Sequence, residues 1–309
     1  MDRALELAER GRGTASPNPV VGAVLVRDGN VVGEGWHERP GEPHAEARAL
    51  DQAGDAARGA TMYVSLEPCS HHGRTPPCAD AIVAAGVARV VVGTRDPNPE
   101  VNGAGIERLR AAGIAVEVED SLAARAANAG YLSVHERGRP WVILKLATTL
   151  DGAFAVPGRR WVTGEAARRR VHELRARVDA VAVGMGTVRA DAPRLDARGV
   201  EAPRQPRRLA FGAGPLPEGS ELELRSGELE PELRALAAEG VQSLIVEGGP
   251  SLAASFLDAG LVDEVRWFVA PVVGGAPKLP ALAGPVDLRH VVVEQIERDV
   301  LVSAYVHDP

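Results

Sequence analysis

The chain has 309 residues, 45% apolar and 25% charged, which is enough for two domains of ordinary size with separate cores. Its formal charge is −7, and the first 140 residues hold 15 Arg against 19 Asp plus Glu, so no broad basic face exists to neutralise a nucleic-acid backbone. No run approaches the roughly 18 apolar residues of a membrane span, and the acidic N-terminus has no apolar signal core, so a cytoplasmic protein is expected.

Helical periodicity through Leu5, Leu7 and Ala8 opens the chain over residues 3–12. Two apolar runs, Val20 to Val26 and Val31 to Trp36, flank Arg27-Asp28-Gly29-Asn30, a hairpin signal. A helix is predicted from near His44 to about Ala53. The buried strand Thr61 to Leu66 then delivers Glu67-Pro68-Cys69 at its end. Pro76-Pro77 stands just ahead of a helix from Cys78 to about Ala85, in keeping with proline's preference for helix starts. Strand 88–93, helix 103–112 and strand 114–118 follow. A hairpin followed by α/β alternation implies a sheet sandwiched by helices.

Arg137-Gly138-Arg139-Pro140 punctuates a second start, which divides the chain into domains 1–138 and 139–309. Trp141 to Ala147 reads as a strand, Glu165 to Arg177 as a helix, and Ala180 to Val183 as a strand ending in Gly184-Met185-Gly186-Thr187. A Gly/Pro-rich stretch (212–219) precedes a helix near 229–239, strand 241–246 and the turn Glu247-Gly248-Gly249-Pro250. Helix 251–259 and strands 263–270, 291–297 and 300–306 close an α/β domain. Free backbone N–H groups at the start of helix 251–259 suit a phosphate or pyrophosphate, although an ordinary β–α connection reads equally well. The spacing is not G-x-G-x-x-G, so a doubly wound dinucleotide fold is not assumed.

His44-Ala45-Glu46, Pro68-Cys69 and Cys78 carry the clearest chemistry. One imidazole and two thiolates make three zinc ligands and leave a tetrahedral ion one open position for water. Glu46, two residues after the His, is placed to act as a general acid/base without binding metal. His44 and Cys78 both fall at predicted helix starts, where the positive end of the dipole favours a thiolate. This set with a non-ligand Glu is the signature of zinc-dependent nucleobase deaminases. Two other readings stand beside it. One is a closed structural site with His71, His72 or His37 as fourth ligand and Glu46 solvated; the other is a disulfide between the two cysteines.

A family resemblance rests on Pro17-Asn18-Pro19-Val20-Val21-Gly22, Gly33-Glu34-Gly35-Trp36-His37, His44-Ala45-Glu46 and the expanded cysteine loop Leu66 to Cys78. Asp96-Pro97-Asn98-Pro99 with Asn102, Gly103 and Gly105 adds a further block. These resemble the deaminase domain of the bifunctional riboflavin-biosynthesis deaminase/reductases, over about residues 1–120. The resemblance implies a three-layer αβα fold of the cytidine-deaminase kind. It also implies zinc on His44, Cys69 and Cys78, with Glu46 catalytic. The implied substrate is a pyrimidinone carrying a ribosylamino 5′-phosphate, which loses its 2-amino group as ammonia. His71, His72 and Arg74 are donors suited to phosphate or ring oxygens, and Asn18 offers both donor and acceptor to a base edge.

In the second half, Leu144-Lys145-Leu146-Ala147 with Leu150-Asp151-Gly152, Trp161-Val162-Thr163, Arg175, Gly186-Thr187-Val188 and Glu247-Gly248-Gly249 resemble the reductase domain of the same family. That domain is similar in fold to dihydrofolate reductase, and the likeness spans about residues 140–275. It implies NADPH against Ala147, Trp161, Thr187, Asp191, Gly249, Pro250 and Ser251, and substrate against Arg159, Arg175, Leu195, Arg198 and Glu247. NADPH would reduce the ribosyl group of the deaminated product to a ribityl chain. Arg175 and Arg198 suit a sugar phosphate bidentately. Alternation along the strand turns Lys145 away from the face of Leu144 and Leu146, towards a role in polarising or protonating the group that receives hydride. Where many members have Ser, this chain has Arg159, and segment 203–228 is shorter than usual in the family. The expectation is therefore a cytoplasmic homo-oligomer, dimer or tetramer, acting on a small pyrimidine ribotide and on neither nucleic acid nor membrane. The competing readings are a deaminase with an inactive second domain, a nucleic-acid base deaminase, and a zinc-stapled binding protein.

Overall fold

The computed structural model describes residues 1–70 and 77–309. The chain forms two compact units, Met1–Arg137 with Pro309, and Gly138–Asp308.

The first unit runs α1 (Asp2–Glu9), β1 (Gly22–Arg27), β2 (Asn30–Trp36), α2 (Ala45–Ala53), β3 (Thr61–Val64), α3 (Cys78–Ala84), β4 (Arg89–Val92), α4 (Ala104–Ala111), β5 (Ala115–Val118), α5 (Leu122–Ala127) and α6 (Ala129–Arg137). Its five-stranded sheet has the order β2-β1-β3-β4-β5, antiparallel across β1 and parallel from β3 onwards. The β1–β2 turn places Asp28 and Gly29 at positive φ, as a tight two-residue hairpin requires. Leu25, Met62, Val64, Val90 and Val92 bury one face of the sheet against Ala45 and Ala49 of α2, Ile82 of α3, and Ile106 and Leu109 of α4. Val24 points to the other face, against Ala4 and Leu7 of α1. Helices thus cover both faces, a three-layer arrangement. The sequence patterns left α5 and α6 unassigned. Alanine dominates 122–130 and produces no apolar stripe; the local signal is Ser121, whose Oγ accepts from Ala124 N at 3.3 Å and caps α5.

The second unit runs β6 (Trp141–Thr149), α7 (Glu165–Ala176), β7 (Ala180–Gly184), α8 (Met185–Asp191), β8 (Arg207–Phe211), β9 (Glu223–Arg225), α9 (Leu229–Ala238), β10 (Ser243–Val246), α10 (Pro250–Asp258), β11 (Glu264–Ala270), β12 (Arg289–Ile296) and β13 (Asp299–Tyr305). The eight-stranded order is β12-β13-β11-β6-β10-β7-β8-β9, parallel from β11 to β9, with β13 antiparallel to both its neighbours. Leu144, Leu146, Val246 and Phe211 pack under Leu233 of α9 and Phe256 of α10. Val181, Val183 and Ile245 face the other side, with Val188 of α8 and Leu174 of α7. Segment 203–228 contains β8 and β9, and of Gly184-Met185-Gly186-Thr187 only Gly184 belongs to the strand, while Met185 opens α8. Among the described residues no helix is long and apolar enough to cross a membrane.

Close approach of α2 to β2 is a backbone matter. A Cβ on Gly35 would lie 2.3 Å from the Ala45 carbonyl oxygen, and one on Gly33 would lie 2.1 Å from that of Ala49. Gly35→Ala should therefore push α2 outward and destabilise the first unit by about 1–3 kcal/mol, the usual cost of overpacking. Urea denaturation checks this; an unchanged midpoint would contradict it.

Candidate functional site

In the first unit, three backbone termini converge. His44 is the residue preceding the first turn of α2, Cys69 follows β3, and Cys78 opens α3. The His44 Nδ1 atom lies 3.3 Å from Cys78 Sγ and 3.6 Å from Cys69 Sγ, and the three donor atoms fall within 4.8 Å of one another. A tetrahedral zinc with bonds of about 2.3 Å to sulfur and 2.0 Å to nitrogen has ligand–ligand edges of about 3.6 Å, so the set fits the ion. The Cys78 N–H donates to Cys69 Sγ (3.3 Å) and Ala79 N–H to the Cys69 carbonyl (3.0 Å), which ties the loop to the start of α3. The hydrogen bond with Cys78 draws the Cys69 thiol down to about 4, while the same bond and burial push Cys78 up. Neither cysteine is in a disulfide.

Glu46 stands in the first turn of α2, only 3% exposed, with the Cys78 thiol against its carboxylate. Burial pushes its carboxyl up to about 7. A solvated helix carboxylate would show neither property. His37 is not part of the donor set: its Nε2 is 3.0 Å from Asn18 Nδ2, and burial lowers its pKa. The Asn18 segment is itself held by Asn128, which exchanges two 2.9 Å hydrogen bonds with the Val20 backbone. Asn18, His37, His44, Glu46 and Cys69 line one cavity of about 600 Å³, with Glu67, Asp96, Asn98, Val101 and Tyr131 on its walls. Tyr131 had no sequence signal, because its contact with Asp96 spans 35 positions. His71, His72 and Arg74 lie outside the described residues.

In the second unit, the carboxyl ends of β6, β7 and β10 open on a cleft of about 700 Å³. Ala147, Trp161, Thr187, Asp191, Gly249, Pro250 and Ser251 all line it, as do Lys145, Arg175, Arg198 and Glu247. Two of the residues expected to contact substrate are not among those lining the cleft. Arg159 is exposed, next to the lining residue Arg160. The Leu195 side chain is 2% exposed and packs into the apolar cluster of Val183 and Val188.

Glu247 is the electrostatic centre of the cleft. Its carboxylate accepts from Arg175 Nε at 2.6 Å and Nη2 at 2.9 Å, and Lys145 Nζ is 3.5 Å away. Burial alone would push Glu247 up, but Lys145 and Arg175 bring it down to about 2. Arg175 is therefore no solvated helix residue. Nor is Trp161 core packing: it is 51% exposed, between Arg160 and Arg168 at 5.1 and 5.3 Å. Arg160 and Arg168 complete a cationic wall that the sequence had not singled out, with His172 beside them, its pKa lowered by burial and by Arg175 and Arg198. The opening turn of α10, with Pro250 at its first position, faces the same cleft. Backbone donors and surrounding arginines suit a phosphorylated dinucleotide.

Comparison with known proteins now bears on this geometry. Residues 1–94 match the cytidine and deoxycytidylate deaminase zinc-binding region, and residues 140–215 and 217–302 match the RibD C-terminal domain. The riboflavin biosynthesis protein RibD of Escherichia coli is 40% identical, with 97% of this chain and 96% of that one covered. Its Aquifex aeolicus counterpart is 41% identical over 89% of this chain and 87% of its own. The crystal structure of a diaminohydroxyphosphoribosylaminopyrimidine deaminase/5-amino-6-(5-phosphoribosylamino)uracil reductase from Thermotoga maritima superposes with a TM-score of 0.87 at 35% identity, covering 99% and 97% of the two chains. Similarity of this extent, over both a zinc-ligand set and a cationic cleft, means that the chain belongs to the RibD family of bifunctional deaminase/reductases of riboflavin biosynthesis.

Proposed function

We propose that residues 1–138 deaminate 2,5-diamino-6-ribosylamino-4(3H)-pyrimidinone 5′-phosphate and that residues 139–309 then reduce its ribosyl group to ribityl. The observation that carries this reading is a buried, non-ligand Glu46 beside a three-donor set at the wall of a cavity. The family's two cofactors are zinc and NADPH. His44, Cys69 and Cys78 would hold the zinc, which supplies Lewis acidity and makes water nucleophilic near neutral pH. Glu46 takes one proton from the attacking water and passes it to the ring nitrogen, then takes the remaining hydroxyl proton and passes it to the departing amine, so that water and the 2-amino substrate give the carbonyl and ammonia. Asn18, steadied by His37, pairs with the edge of the heterocycle. His72 and Arg74 remain the proposed phosphate donors.

In the second unit Ala147, Trp161, Thr187, Asp191 and Gly249 to Ser251 would receive NADPH, whose chemistry is hydride transfer. Lys145 lies 3.5 Å from Glu247 and is the proton donor for the group being reduced. Arg198 carries its charge at the cleft, paired with Asp196, and would bind the sugar phosphate. Substrate contact by Arg175 and Glu247 is proposed to act through their mutual ion pair; Arg159 and Leu195 are proposed as further contacts, Leu195 through its backbone because its side chain is buried. Free Cys69 and Cys78 favour a reducing, cytoplasmic setting. A homo-oligomer, dimer or tetramer, is favoured by β12, an edge strand on which Val291, Val292 and Val293 are each more than half exposed.

Glu46→Gln keeps the shape of the side chain and removes its proton traffic. Deamination should fall by about 10²–10⁴-fold with zinc content and NADPH-dependent reduction unchanged. Retention of deaminase turnover would refute the assignment.

Glu247→Gln should lower reduction by about 10²-fold and leave deamination alone. The carboxyl of Glu247 titrates below its ordinary value of 4.5 in the folded chain, so it stabilises the second unit above that pH. That contribution is lost as pH falls towards about 2. The Gln variant should lack this part of the acid-induced loss, which unfolding curves at stepped pH can read.

A further inference from the structure

We propose that Glu67 is a positioning residue for deamination, holding the loop of residues 96–106 as the wall against which the heterocycle is oriented. The inference rests on the first-unit cavity being the deaminase site. It explains why the block Asp96 to Gly105 accompanies the zinc ligands without supplying one, and why Glu67 stands two residues before Cys69.

Glu67 is 4% exposed and lines the cavity two residues before Cys69. Among the described residues, backbone N–H groups across the cavity wall donate to its carboxylate. Oε2 accepts from Asp96 at 3.3 Å and Gly103 at 3.0 Å; Oε1 accepts from Gly105 at 3.1 Å and Ile106 at 3.3 Å. The last two belong to the first turn of α4, so the carboxylate caps that helix from a distant strand and meets the positive end of its dipole. Contact is tight: a Cβ on Gly105 would lie 1.8 Å from the Pro68 carbonyl oxygen. The order continues outward, because Asp96 Oδ1 accepts from Tyr131 Oη and from Asn98 N, both at 2.9 Å. Asp96, Asn98, Val101 and Tyr131 all line the cavity. One side chain beside a zinc ligand thus sets the position of the opposite wall.

Four donors on two oxygens require an acceptor at both positions. Glu67→Gln is isosteric but turns an NH₂ group towards two N–H groups, so the wall shifts while the cysteine stays in place. In the full-length zinc protein, with the diaminopyrimidinone ribotide as substrate, KM for deamination should rise about tenfold or more, exceeding any fall in kcat. Zinc content and reductase turnover in the same chain should be unchanged. An unaltered KM, or a loss of activity that tracks loss of zinc, would overturn the proposal. If Glu67→Gln does not fold, Tyr131→Phe tests the far end of the same network: KM should rise several-fold with zinc retained, and an unaltered KM overturns the proposal. Absence of deamination by the unmodified protein would instead refute the underlying assignment of the cavity.

Discussion

Three donor atoms from two helix starts and one strand end must meet within 4.8 Å, and most of the first unit can be read as the means of holding them there. His44 sits at the mouth of α2 only because α2 lies hard against β2, which glycine at 33 and 35 permits. Cys69 extends from a strand fully paired within the sheet, and Cys78 is fixed by the hydrogen bonds between its loop and the start of α3. Once His44 is placed, helical geometry carries Glu46 into the same buried space. Burial then gives this carboxyl a proton affinity near neutrality, the range in which a group can both accept and release a proton.

The second unit solves a related problem by different means. Glu247 is buried, and a lone carboxylate there would be neutralised by proton uptake. Arg175 from α7 and Lys145 from β6 close on it and keep it charged. The pairing has a structural side, joining α7 to the strands, and a chemical side, fixing the Lys145 amine at the cleft. This is one of only two lysines in the chain; the other basic side chains lining the cleft are arginine and histidine. Arginine's forked guanidinium suits the carboxylate of Glu247, and the compact ammonium suits proton donation.

The candidate metal ligands were legible in sequence because the chemistry demands particular atoms: His44, Cys69 and Cys78 are spaced by the ends of elements whose apolar patterns are clear. The alternation that set Lys145 apart from Leu144 and Leu146 survives in the sheet, with both leucines buried and the lysine at the cleft. Contacts made across long sequence separation were not legible. Nothing near Glu67 announces that it will cap a helix 37 residues later, and Tyr131 lies on an alanine-flanked helix that the patterns passed over. The places of Arg159 and Leu195 outside the cleft lining were not legible either. Both lie in irregular segments, where no period of two or 3.6 fixes which way a side chain faces. Strands β8 and β9 were missed because arginines and short length obscure their apolar faces, which only the neighbouring strand completes.

The central claim is that one chain carries a hydrolytic and a reductive centre acting in order on one pyrimidine. The most direct measurement incubates the purified full-length protein with the diaminopyrimidinone ribotide, with and without NADPH, and identifies the products by mass spectrometry together with released ammonia. The account predicts ammonia and the deaminated ribosyl compound without NADPH, and the ribityl compound with it. Reduction of a substrate that still bears its 2-amino group, or no ammonia under either condition, would contradict it.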